Sequence, residues 1–158
     1  MDATLSVPCS FRPYSTDNYR VDESLGHLIV VAHGLLLRHI DQRMEPFDIT
    51  SAQWKVLIRV LVGDVRSSSA LCRELGCDTG AMTRMLDRLE EKGFVRRERS
   101  HADRRLVLVT PTESSRVMQR PLVSAAVNAL NDALSDFSVT EFALLKRLLG
   151  RLIANLNP

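Results

Sequence analysis

The 158-residue sequence has few cysteines and no long apolar run, and each shortage excludes a class of protein. Its three cysteines, Cys9, Cys72 and Cys77, are too few for a disulfide framework. The longest apolar stretch, around LIVVAHGLLL, is about half as long as a membrane-spanning helix must be. The opening residues MDATLSVPCSFRPYS are acidic and polar, which does not match a secretory signal. These features predict a protein of the reducing cytoplasm that has no membrane partner.

Motifs of the common enzyme classes are also missing. The sequence contains no glycine-rich phosphate loop, no Gly-x-Ser-x-Gly turn and no Cys–His pair at the spacing of a nucleophile and its base. The four histidines do not follow the cysteines at the intervals of a zinc finger. We therefore expect no catalytic residue, no metal site and no cofactor.

The net positive charge of the chain is small, but it is concentrated in one segment. The formal net charge is only +2, which says little about partners. Lys92 to Arg105 contains six basic side chains against Glu98 and Asp103, so this segment carries +4 and the rest of the chain −2. The segment RRERSHADRRLVLV therefore needs an explanation beyond ordinary surface charge.

Apolar spacing and capping residues predict a mainly helical chain after an irregular arm over residues 1–21. The expected helices are Asp22–Glu45, Thr50 to about Leu61, Ser68–Leu75, Asp78–Lys92, Thr112–Leu134 and Ser138–Leu156. Capping boxes at Thr50/Gln53 and Ser138/Glu141 open the second and last helices, and Pro121 should kink or divide the fifth. The first and last helices are the most apolar, so an intertwined homodimer would cover them.

A hairpin is predicted after the fourth helix, because the β-rich runs FVRRERS and LVLVT are joined by the polar turn HADR. The two helices before it meet at a tight turn containing Gly76, which is the geometry of a helix-turn-helix. The fold class expected is mainly α with a small β-hairpin wing. A winged helix-turn-helix unit should occupy residues 50–111, and residues 22–49 and 112–158 should form a helical dimerisation region.

The outer face of the helix that begins at Asp78 suits duplex DNA. The first turns of such a helix present side chains to base edges in the major groove, and arginines at a wing tip suit the narrow minor groove. Asp103 is expected to brace the guanidinium of Arg104 or Arg105. The predicted DNA-contacting residues are Thr79, Gly80, Thr83, Arg84, Arg88, Arg97, Asp103, Arg104 and Arg105. For Arg84 and Arg88, which have acidic neighbours, an ordinary solvated helix face is the alternative.

The segment LDRLEEKGFVRRERSHADRRLVLVTPT resembles the signature region of the MarR family of transcriptional regulators, with an Asp-x-Arg wing motif at Asp103 to Arg105. TSAQWKVL resembles the second helix of the family, and the resemblance covers roughly Leu25 to Leu156. The chain departs from the family pattern at Pro111 and Ser115. The resemblance implies a winged-helix dimer that binds a near-palindromic operator, commonly represses transcription and is released by a small ligand.

The same resemblance implies an aromatic acid or phenol as the effector, bound between the dimer helices and the DNA-binding unit. An imidazole or guanidinium can pair with a carboxylate while apolar side chains enclose the ring. The predicted effector-binding residues are Tyr19, Arg20, His27, His33, Arg38 and Trp54. For His27 and His33, a structural role in an apolar helix is the alternative.

Two other functions are also compatible with the sequence. Some members of the family sense oxidants through an N-terminal cysteine, and Cys9 lies near Tyr14 and Tyr19, although no neighbouring motif marks its thiol as reactive. Cys72 and Cys77 flank the helix-turn-helix bend and are interpreted as small core residues. The other alternative is a protein-interaction adaptor whose end helices bind a partner and whose basic hairpin only adds solubility.

Overall fold

A computed structural model describes residues 12–63 and 66–157, and these residues form a mainly helical fold with a small antiparallel sheet. This confirms the predicted fold class. The chain divides into two compact units, Met1–Leu35 and Leu36–Pro158. In chain order the elements are α1 (Leu25–Met44), a 3-10 turn (Glu45–Phe47), α2 (Ser51–Gly63), β1 (Arg66–Ser67), α3 (Ser68–Leu75), α4 (Thr79–Glu91), β2 (Val95–Arg99), β3 (Val107–Pro111), α5 (Glu113–Ala133) and α6 (Val139–Leu156).

Local capping sets the helix starts. The first helix begins at Leu25 rather than at Asp22, because the Ser24 hydroxyl accepts a hydrogen bond from the His27 N–H at 3.2 Å. Both predicted capping boxes are present. In the first, Gln53 N–H donates to the Thr50 hydroxyl at 3.2 Å while Thr50 N–H donates to the Gln53 side chain at 3.1 Å. Ser138 and Glu141 form the second.

Pro121 does not divide the fifth helix. α5 runs without interruption from Glu113 to Ala133, and Pro121 lies on its exposed side. Proline removes one helical hydrogen bond. On the other side of the helix, Leu122, Ala125 and Ala126 are buried in the hydrophobic core, and this packing holds the helix together.

The core of the second unit lies beneath α2, α3 and α4, where it also meets the sheet and α5. Leu71, Met82, Leu86 and Leu89, which the sequence places on the inner faces of α3 and α4, are at most 1% exposed. Each such side chain contributes roughly 1.5–3 kcal/mol of burial free energy, so the core determines which face of α4 remains outside. The other members are Met44, Ile49, Val56, Leu57, Val60, Leu61, Phe94, Val95, Val109, Leu122, Ala125 and Ala126.

The sheet has three antiparallel strands in the order β1-β3-β2. β2 and β3 form the predicted hairpin, in register from Val95↔Pro111 to Arg99↔Val107. β1 is an additional strand whose two residues are too few to show an alternating pattern in the sequence. It pairs Arg66 with Val109 and Ser67 with Leu108, so it flanks the middle of β3 and not its whole length.

Apolar side chains on α1 and α6 remain exposed in the single chain. The exposed fraction is 70% for Val30, 64% for Ile153 and 76% for Leu156. On α6, apolar residues recur at helical spacing and form one stripe (Phe142, Leu145, Leu149, Leu152, Ile153 and Leu156). No helix within the described ranges is long and apolar enough to cross a membrane.

Candidate nucleic-acid interface

A tight turn joins α3 to α4 and fixes where α4 begins. Gly76, at φ 62°, ends α3 in the left-handed conformation, and the N–H groups of Gly76 and Cys77 both reach the Cys72 carbonyl. The Asp78 carboxylate then accepts a hydrogen bond from the Ala81 N–H at 2.8 Å. This bond lowers the pKa of Asp78, and the nearby charge of Arg84 lowers it further. The first turn of α4 is therefore firmly capped.

Cys72 and Cys77 pack across this turn, in agreement with their interpretation as small core residues. Both side chains are half-buried against the hydrophobic core. Burial raises the pKa of Cys72, and interaction with Cys77 raises it further. A raised pKa favours the neutral thiol, which is the form that packs well in an apolar environment.

The outer face of α4 carries the predicted contact residues, and all five of them are exposed: Thr79, Gly80, Thr83, Arg84 and Arg88. The Thr83 hydroxyl donates to the Thr79 carbonyl at 2.8 Å, so it offers a partner its methyl group and its acceptor lone pairs. Gly80 has no side chain, so the protein surface there lies close to the helix backbone. An added Cβ would lie 3.2 Å from the Asp78 carboxylate and 3.5 Å from the Arg84 guanidinium. This end of the helix can approach another surface closely.

Arg97 is placed differently from what the sequence suggested. Its guanidinium does not point away from the protein but binds Asp87 at 2.6 Å and Glu90 at 2.7 Å, both on α4. Asp87 is half-buried in the same cluster. A cation held by two carboxylates is a poor phosphate ligand, so Arg97 fits the inside of the interface better than its contact surface.

At the wing tip, Asp103 binds backbone rather than a guanidinium, and the predicted brace to an arginine side chain is wrong. Its carboxylate accepts from the Arg105 backbone N–H at 3.0 Å. The Ser100 hydroxyl accepts from the N–H groups of Ala102 and Asp103 at 3.3 Å each. Short local bonds of this kind are the usual way in which Asp and Ser stabilise turns. The acid shapes the loop and leaves the arginine side chains to solvent.

Several arginines of this surface keep their charge available. Arg88, Arg104 and Arg105 are exposed and form no salt bridge with any residue of the described ranges. Arg99, which is not among the predicted DNA-contacting residues, lines an open groove with Glu90, Arg97 and Glu98. It is the last residue of β2, on the side of the wing tip, and its place in the basic segment from Lys92 to Arg105 could have identified it.

The six residues expected to bind an effector are distributed over both compact units. Tyr19, Arg20, His27 and His33 belong to the first unit, and Arg38 and Trp54 belong to the second. Tyr19 packs edge-on against Tyr14, with ring centroids 5.8 Å apart, and the two rings line an open groove with Ser15 and Thr16.

The other five residues differ in how exposed they are. His27 is half-buried, whereas Arg20, His33 and Arg38 are exposed. Trp54 is half-buried and packs against the hydrophobic core. Cys9 lies outside the described residues. Within the described part of the chain, no three His, Cys, Asp or Glu side chains are grouped closely enough to hold a metal ion.

Comparison with known proteins agrees with this geometry. The MarR family model matches residues 49–107, which span the helix-turn-helix and most of the hairpin. The multiple antibiotic resistance protein MarR of Escherichia coli is 33% identical over 130 residues, covering 82% of this chain and 90% of that protein. The crystal structure of its apo form superposes with a TM-score of 0.71 at 32% identity, covering 82% of this chain and 96% of the other.

A second solved structure shows a mutant of Escherichia coli MarR complexed with operator DNA. It superposes with a TM-score of 0.76 at 32% identity and covers 81% of this chain and 92% of its own. Identity at this level over most of both sequences, together with the match of the family model, leaves one assignment. This chain belongs to the MarR family of transcriptional regulators.

Proposed function

We propose that this protein is a homodimeric, ligand-responsive repressor that binds a near-palindromic operator. The observation that carries the proposal is the set of exposed arginines on α4 and at the wing tip, presented on a fold that a relative uses in complex with operator DNA. Duplex DNA has negative charge along both strands, and arginine binds phosphates and guanine edges well.

In this proposal the two elements have separate roles. α4 enters the major groove, where Thr79, Gly80, Thr83, Arg84 and Arg88 face the bases and the adjacent backbone. Arg104 and Arg105 enter the neighbouring minor groove, whose narrow form concentrates negative potential. Asp103 holds the tip loop in shape through its bond to the Arg105 N–H.

The dimer follows from the apolar side chains that a single chain leaves exposed on α1 and α6. Exposed apolar surface of this extent marks an interaction site, and a twofold dimer buries the same surface on both protomers. Two copies of α4 related by that twofold would read two half-sites of opposite orientation, which is why the operator should be an inverted repeat.

Selection from a random duplex library tests the proposal directly. The protein should enrich an inverted repeat and bind it with nanomolar affinity that falls steeply as salt increases. Weak binding to every duplex, without an enriched sequence, would instead support the adaptor, in which the basic hairpin only adds solubility.

Arg84→Ala should change which bases are selected at one position of each half-site. Base contacts determine sequence preference, whereas phosphate contacts mainly position the protein. The measurement is a repeat of the selection with the variant, and Arg120→Ala on α5 is the charge-matched control, which should reproduce the wild-type sequence. An equal loss of affinity for all duplexes would place Arg84 on phosphates.

Gly80→Ala should weaken operator binding about tenfold or more, within the range expected for a single interface contact, while the melting temperature stays close to that of wild type. Alanine is the better helix former by up to about 1 kcal/mol, and the added Cβ meets only one tight contact, with Asp78 at 3.2 Å. Unchanged affinity would show that this end of α4 does not approach DNA closely.

The proposed effector is an aromatic carboxylate or phenol bound by residues such as His27 and His33. A ligand at 100 times its dissociation constant stabilises the folded state by about 2.7 kcal/mol. A thermal-shift screen of benzoates and hydroxybenzoates should therefore yield a hit whose stabilisation is lost in His27→Ala or His33→Ala. His101→Ala, on the wing, is the control and should keep it. A hit that survives both α1 substitutions would place the pocket elsewhere.

A further inference from the structure

We infer that Arg97 is a positioning residue that locks the wing to α4, so that the two DNA-contacting elements act as one rigid unit. The inference deepens the proposed function and rests on it. Arg97 is the middle residue of β2, and its partners Asp87 and Glu90 lie in the last two turns of α4.

Four short contacts connect Arg97 to the two acids. Arg97 Nε and Nη2 bind the same oxygen of Glu90 at 2.8 Å and 2.7 Å, and Nη2 also binds Asp87 at 2.6 Å. The second oxygen of Glu90 accepts from the Arg97 backbone N–H at 2.8 Å. Glu90 therefore holds both the side chain and the main chain of β2, which restricts how the strand can rotate against the helix.

The position is protected from solvent enough for these bonds to matter. The Arg97 side chain is 24% exposed, far less than a surface arginine. Burial acts to lower the pKa of Arg97, but the hydrogen bonds and charges of Glu90 and Asp87 outweigh it and raise the pKa. Removing one partner of a pair in such surroundings leaves an incompletely satisfied charge.

The charge of the cluster argues against direct phosphate binding. One guanidinium and two carboxylates sum to −1, a charge that repels DNA. Any contribution of the cluster to affinity must therefore come from geometry. Gly93, at φ 75°, joins α4 to the hairpin, and without the cluster the hairpin would have more freedom there. Ordering it on binding would cost affinity.

Glu90→Gln distinguishes an effect of charge from an effect of positioning, because the two predict opposite changes in DNA affinity. If only charge mattered, removing an acid near DNA would strengthen binding. If Glu90 positions Arg97, binding of the selected inverted repeat should weaken about tenfold, within the roughly 2- to 150-fold coupling found between contacting groups. Glu91→Gln is the matched control, because it removes the same charge one residue away on an exposed position. That variant should bind as tightly as wild type or more tightly.

Arg97→Gln should also weaken binding about tenfold, but the slope of log Kd against log salt should stay at the wild-type value, since no phosphate contact is lost. A phosphate-binding arginine would lower that slope by about one. The double variant, Glu90→Gln with Arg97→Gln, should bind no more weakly than either single variant, because both break the same contact.

Thermal melting of each variant shows whether it is folded, and Arg97→Lys, which keeps the positive charge and can still donate to the acids of α4, should lose less affinity than Arg97→Gln. Three results would overturn the inference: tighter binding by Glu90→Gln, a reduced salt slope in Arg97→Gln, or strictly additive losses in the double variant. A wild-type chain that selects no sequence would overturn the proposed function as well, so the two failures are distinguishable.

Discussion

Ile153→Lys is expected to turn a dimer into a monomer and to weaken binding of the inverted repeat by about 100-fold or more, the factor lost when two linked sites bind separately. Ile153 belongs to the apolar stripe on α6 and is 64% exposed in the single chain. The substitution therefore disturbs little within the protomer, but in the dimer it would bury a charge against apolar side chains.

Ala154→Lys is the matched control for this prediction. It adds the same charge one residue further along α6, at an exposed position outside the stripe. Sedimentation equilibrium should show a monomer for Ile153→Lys and a dimer for Ala154→Lys, with similar melting temperatures at low protein concentration. A dimeric Ile153→Lys would mean that the exposed side chains of α6 do not form the dimer contact.

Arg105→Ala is expected to weaken operator binding by about 1–3 kcal/mol and to lower the salt slope by about one. Asp103 binds the backbone N–H of residue 105, so the substitution removes the guanidinium while the tip loop keeps its shape. The loss should consequently report a DNA contact rather than a rearranged wing. Fluorescence anisotropy over a series of salt concentrations measures both quantities.

Dimerisation should be unaffected by Arg105→Ala, and Arg120→Ala on α5 should leave the affinity at the wild-type level, because it removes the same charge outside α4 and the wing. Wild-type affinity and slope in Arg105→Ala would exclude the wing tip from DNA binding and leave α4 as the sole contact element.

Much of the fold was predictable because local chemistry decides it. Ser67, Asp78, Thr112 and Ser138 each accept a backbone N–H at a helix start, and Gly76 ends α3 where the sequence indicates. Such caps depend on residues a few positions apart. Apolar periodicity likewise predicted the inner faces of α3 and α4, since burial of one face stabilises the helix pair.

The details of the interface were less predictable, because they depend on which side chains meet in three dimensions. Arg97 and Arg105 look alike in the sequence, yet the first faces two acids of α4 and the second faces solvent. The predicted brace between Asp103 and an arginine side chain was wrong, since a backbone N–H two residues away is a nearer donor than a flexible guanidinium. β1 was missed because two residues carry no periodicity.

The short strand β1 supports only part of the hairpin. β3 has a neighbour on both sides only at Leu108 and Val109, and from Val107 outward it has β2 alone. The free energy of local opening should therefore decrease from the middle of the hairpin to its tip. In the proposed complex, a supported middle and a compliant tip would let the arginines of the tip follow minor grooves of different width, so sequence-dependent DNA shape would be accommodated without moving α4.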